Sequence, residues 1–128
     1  MLTIRPQQVG VFSKAAAKSF EDRMVAHLAE FFPAQCKERG EEKTRETIRQ
    51  GILNARKYGI VSELDVCIYI DIMLEYGDDF DVDPELPWAG QVLNDPALWD
   101  PTYRVNRLFD AAMDYEKGDY EKKGAKPA

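Results

Sequence analysis

Between Tyr58 and Tyr103 the chain contains neither lysine nor arginine. Those 46 residues carry 11 carboxylates: Glu63, Asp65, Asp71, Glu75, Asp78, Asp79, Asp81, Asp83, Glu85, Asp95 and Asp100. All 17 basic residues lie elsewhere, beside 12 acids, and the net charge is −6. Other scarcities exclude whole classes. The two cysteines, Cys36 and Cys67, stand outside any C-x-x-C motif and make no disulfide framework, so they read as free buried thiols in a reducing cytoplasm. The longest apolar run, Val66 to Ile70, is far too short to span a bilayer. The opening Met1-Leu2-Thr3-Ile4-Arg5-Pro6 lacks the basic and apolar regions of a signal peptide. An acidic pI near 4.8 argues against nucleic-acid and anionic-membrane partners, which require a basic surface. No glycine-rich phosphate loop, H-E-x-x-H or G-x-S-x-G occurs, so no catalytic residue and no cofactor is expected.

At 128 residues, the length suits one domain with a real core. Helical periodicity dominates. Val9, Phe12, Ala16, Phe20, Met24, His27, Leu28 and Phe31 fall on one face of a helix from Pro6 to about Phe32, ended by Pro33. A short turn from Pro33 to Arg39 closes at Gly40. A second helix runs from Glu41 to Tyr58, with Gly59 as its left-handed cap. Ser62, with Asp65 in the capping-box position, starts a third helix that is apolar nearly all round and therefore central. After Gly77 come an acidic loop, a short helix over Pro87 to Leu93, and a last helix from Pro101 to about Glu116. The lysine-rich tail, 117–128, reads as disordered. The expected fold is a single all-α domain of about five helices around a buried central one.

The acidic loop is the main candidate site. Asp79-x-Asp81-x-Asp83 imitates the opening of an EF-hand, but Pro84 stands where glycine is needed and Gly90 where a glutamate must close the shell. No metal site is therefore expected. Carboxylates interleaved with aromatic residues instead suit protein recognition. The candidate partner-binding residues are Asp78, Asp79, Phe80, Asp81, Asp83, Glu85 and Trp88, although the apolar ones equally suit plugs that pin the loop to the core. His27, the lone histidine, has no visible partner and reads as a hydrogen-bonded core residue. Arg45, Arg49 and Arg56 share one side of the second helix, which suits a solvent edge, but some of them are expected to pair with acids such as Asp71 and Glu75.

Phe20-Glu21-Asp22-Arg23-Met24 with His27-Leu28 and Phe32-Pro33, Tyr58-Gly59-Ile60, Ser62-Glu63-x-Asp65-Val66-Cys67-x-Tyr69-Ile70, Gly77-x-Asp79-Phe80-Asp81, Pro87-Trp88 and Leu93-Asn94-Asp95-Pro96 form a recognisable set. Over roughly residues 4 to 110 the chain resembles small helical proteins encoded beside type VI secretion spike and effector genes. The resemblance implies a cytoplasmic accessory protein, an adaptor or co-chaperone that binds an effector as its protein client. Immunity proteins share those gene clusters, so a factor that occludes a toxin active site is the alternative. A homo-oligomer is compatible with either role.

Overall fold

The computed structural model describes residues 13–125, with side chains as far as 118. Among the described residues, five α-helices and one 3-10 turn make up an all-α domain: α1 Lys14–Phe31, α2 Pro33–Lys57, α3 Glu63–Tyr76, the 3-10 turn Phe80–Val82, α4 Pro87–Leu93 and α5 Pro101–Ala125. Among the described residues no helix is long and apolar enough to cross a membrane.

Local chemistry sets the ends. The Ser13 hydroxyl accepts from the Ala16 N–H and caps α1; the expected start at Pro6, with Val9 and Phe12, lies outside the described residues. The expected break at Gly40 is real: its φ of 81° and ψ of 164° kink α2 into two segments. Ser62 caps α3 through the Asp65 N–H. The carboxylate of Asp65 does not complete the box; it accepts from Thr102 Oγ1 at 2.7 Å and so ties α3 to α5. Asp95 and Asp100 accept from the Ala97 and Thr102 N–H groups, the latter capping α5. Helix α5 continues to Ala125, past the expected end near Glu116, and residues 126–128 lie outside the described part. Glu, Lys and Ala favour helix there, and isolated glycines such as Gly118 and Gly124 are weak breakers.

The third helix is central, as its composition implies. It packs against α1, α2, α5 and the 3-10 turn, and Val66, Tyr69, Ile70 and Met73 are fully buried. Its burial is not complete around the circumference. Leu64 is exposed and Cys67 and Ile68 are half-buried, so one stripe reaches the surface. In α5, Val105, Leu108 and Ala112 turn inward, whereas Phe109 and Met113, whose helical spacing puts them on the same stripe, are about half exposed. The arginines of α2 also pair differently from expectation. Arg45 and Arg49 converge on Glu21 of α1, at 2.7 and 2.8 Å, and not on Asp71 or Glu75. Arg56 is exposed. The physical reason is the packing order: α1 lies along the arginine side of α2, while α3 packs on its apolar side around Ile48 and Gly51.

Candidate functional site

Most carboxylates of the lysine-free stretch are used inside the fold. Arg23 clamps Glu63 with two bonds of 2.9 and 3.0 Å, and Arg39 reaches Asp78 at 3.3 Å. Few other bases are available, so hydroxyls and backbone N–H groups serve the rest. Tyr58 donates its hydroxyl to Asp81 at 2.6 Å, and Asp83 accepts from the Glu85 N–H. Burial and the Asp81 charge push the Tyr58 phenol well above its ordinary value.

This arrangement places each residue of the predicted recognition loop. Phe80 is 1% exposed and stacks on Tyr69 with ring centroids 5.0 Å apart. Asp81 is also buried. Neither has surface to offer a partner, so the reading of them as recognition residues is corrected; they anchor the loop to α3 and α2. Trp88 is half-buried between Tyr76 and Tyr115, at 5.3 and 5.7 Å. Asp78 and Asp83 are half-buried, and Asp79 and Glu85 are exposed. The loop is therefore a pinned connection with a thin acidic rim, not a continuous aromatic patch.

The apolar and acidic surfaces do meet, one step away. Phe32, Ile72, Tyr76, Phe109, Ala112 and Met113 line a groove between α3 and α5, with Asp71, Glu75 and Glu116 at its edges. No lysine or arginine lines it. Its volume is about 190 Å³, smaller than the roughly 300–1,000 Å³ of drug-sized sites and suited to one or two apolar side chains. Phe109 and Met113 stay 47% and 49% exposed beside it. Glu75 and Glu116 face each other. Burial, together with the neighbouring Glu116 carboxylate, pushes Glu75 above the usual carboxylate range. Glu116 also raises the Tyr76 phenol, after burial, and the Tyr76 hydroxyl donates to the Ala112 carbonyl at 3.2 Å. Two neighbouring carboxylates beside an apolar floor offer a place for a cationic group. Sequence reading missed this groove because Phe109 and Met113 fit the inward face of α5 by periodicity alone.

A second hollow, of about 710 Å³, is lined by Lys14, Lys18, Arg45, Arg49, Ile52 and Leu53 among others. Three of its four basic residues are paired: Lys18 and Arg45 bind Asp22, and Arg49 and Arg45 hold Glu21 below the usual carboxylate range.

His27 has partners after all. Its Nε2 lies 2.8 and 3.1 Å from the Asp71 oxygens and 3.6 Å from Cys67 Sγ. Both groups meet the same ring nitrogen. A Cys-His-Asp catalytic relay needs them on opposite nitrogens, so that the carboxylate orients the ring while the thiol is deprotonated. Burial and the Asp71 charge also push the Cys67 thiol up to about 11, away from the thiolate needed for attack. Burial likewise raises Asp71, opposed by the His27 hydrogen bond. The sequence signal was the four-residue spacing of Cys67 and Asp71, but only the crossing of α1 and α3 brings His27 to them.

No family model, curated protein or solved structure matches the chain.

Proposed function

We propose that this chain is a non-enzymatic protein-binding factor whose α3–α5 groove receives a basic, amphipathic segment of a client protein. One observation carries the reading: an apolar groove with exposed Phe109 and Met113 is edged by three carboxylates and lined by no lysine or arginine. An apolar anchor of the client fills the hollow, and a lysine or arginine beside it sits between Glu75 and Glu116. The charges steer the encounter and fix the register, while the buried anchor supplies the affinity. The resemblance over residues 4 to 110 makes a type VI secretion effector the proposed client and adaptor or co-chaperone the proposed role, exercised in the cytoplasm.

The test uses the chain as bait in the native host, with wild type beside Phe109→Ser/Met113→Ser and Glu75→Gln. A client retained by wild type should be lost from the double variant and weakened by Glu75→Gln, and its association should slow as salt rises. Capture indifferent to all three would overturn the groove reading. Deleting the gene should abolish export of that client while sister cells survive. Death of those cells under toxin attack would instead mark an immunity protein.

A further inference from the structure

We propose that His27, Cys67 and Asp71 form a binding site for a transition-metal ion of the zinc class. The three offer one nitrogen, one sulfur and one oxygen, and these ligand atoms all lie within 4.8 Å of one another. They come from two helices. Cys67 and Asp71 are one turn apart on the surface-facing stripe of α3, and His27 projects from α1 across the crossing.

The geometry favours a cation over a plain hydrogen-bonded cluster. An ionised carboxylate only accepts, so Nε2 must carry its proton toward Asp71. That nitrogen then has no lone pair for the Cys67 thiol, which nevertheless sits beside it. Three potential ligands within 4.8 Å of one another are a set that a single ion can hold. Two of the three separations can be set against a metal shell. In a tetrahedral shell with Zn–N about 2.0–2.1 Å and Zn–S about 2.3 Å, nitrogen and sulfur stand about 3.6 Å apart. The observed separation of His27 Nε2 and Cys67 Sγ is 3.6 Å. The Nε2–Oδ1 separation of 2.8 Å must open by about 0.5 Å, within reach of a small carboxylate rotation.

Donor chemistry selects the metal. Imidazole, thiolate and carboxylate together suit zinc and its neighbours, whereas calcium and magnesium require oxygen shells. Access exists as well. A hollow of about 340 Å³, lined by Phe20, Arg23, Met24, Glu63 and Leu64, opens onto His27 and Cys67. The Phe31 ring shields the imidazole from another side, with its centroid 4.9 Å away. Binding releases the thiol proton to solvent. The fourth position is left to water or to a side chain of a bound partner.

The experiment titrates the metal-free full chain with Co²⁺ and then Zn²⁺ at neutral pH. One Co²⁺ per chain should produce thiolate-to-cobalt charge-transfer absorption, which Zn²⁺ displaces. Zn²⁺ should also raise the melting temperature. Cys67→Ser should abolish the absorption, and His27→Gln and Asp71→Asn should each weaken binding by more than about tenfold, since even outer-shell partners contribute 10–100-fold. Cys36→Ser, which alters the other free thiol, should change nothing. Circular dichroism confirms that each variant is folded. Absence of the absorption in wild type would overturn the site. Its loss in Cys36→Ser with retention in Cys67→Ser would overturn it equally. The result is independent of client binding, because Phe109→Ser/Met113→Ser should bind metal like wild type.

Discussion

Replacing Gly51 with alanine should destabilise the domain, although alanine is the better helix former. Gly51 is buried in α2 where this helix crosses α3. A Cβ built there would lie 2.5 Å from Ile70 Cγ1, 3.0 Å from Met73 Sδ and 3.1 Å from Ile70 Cδ1. Carbon atoms prefer about 3.5–4.0 Å, so the first contact is short by about 1 Å. Met73 has a flexible thioether and yields at small cost. Ile70 does not yield in this way: it is fully buried, its Cγ1 sits at the root of the side chain, and a β-branched residue in a helix has one strongly preferred rotamer. The helices must therefore separate. Overpacking of this kind costs about 1–3 kcal/mol, and the short contact places it in the upper part of that range. The propensity gain returns about 1 kcal/mol. The net loss is about 1–2 kcal/mol, or about 3–10 °C in melting temperature for a chain of this size. Urea denaturation of Gly51→Ala, Ile70→Ala and the double variant measures it. Ile70→Ala alone should cost about 2–5 kcal/mol, and the double variant should lose about 0.5–3 kcal/mol less than the sum, because the new methyl enters the space that Ile70 vacates. A Gly51→Ala protein that melts higher than wild type, or costs that simply add, would refute the close-approach argument.

Three further outcomes follow from the charge layout. Glu21 is held below the usual carboxylate range chiefly by its Arg49 hydrogen bonds and then by Arg45. Its contribution is therefore present above about pH 4.5 and is lost as pH falls through the lower folded value; the stability gap between wild type and Glu21→Gln should close on acidification. An equal gap at pH 7 and pH 3 would contradict this sign. Glu75 runs the other way: its raised value means that the ionised form disfavours the fold, so Glu75→Gln should raise the melting temperature at pH 7, with the gain fading in acid. That substitution would then be stabilising and impaired in client binding, as expected where a binding site stores like-charge strain. Tyr58→Phe removes the donor at 2.6 Å from buried Asp81 and should cost about 1.5–3 kcal/mol; a loss below about 0.5 kcal/mol in a denaturation curve would mean that Asp81 does not depend on it.

The local code of this chain was legible as written. Ser62, Gly40, Gly59, Pro87 and Pro101 mark ends and breaks whose chemistry acts over a few residues, and the structure has them where that chemistry requires. The apolar content of residues 64 to 76 likewise announced a central helix. Pairing across the fold was not legible. Periodicity states that Arg45 and Arg49 share a side, but not that α1 and its Glu21 lie there. It places Phe80 among carboxylates, but not whether the ring turns outward or onto Tyr69. It puts Phe109 and Met113 on the stripe of α5, but the width of the covered arc depends on how α3 and α4 pack against it.

The lysine-free stretch divides along the same line. Sequence alone determined that 11 carboxylates would find few basic neighbours along the chain, because charge and composition are properties of the string. Only the tertiary structure decided their use: Asp95 and Asp100 bond backbone N–H groups at turns and helix starts, Asp81 meets a tyrosine hydroxyl, Asp71 joins His27 and Cys67, and Glu75 is left facing Glu116 beside an apolar groove. The reason is range. Caps and periodicity act within one or two turns of chain, whereas a groove and a three-residue cluster are made by helices whose partners lie 36 to 44 residues away in sequence.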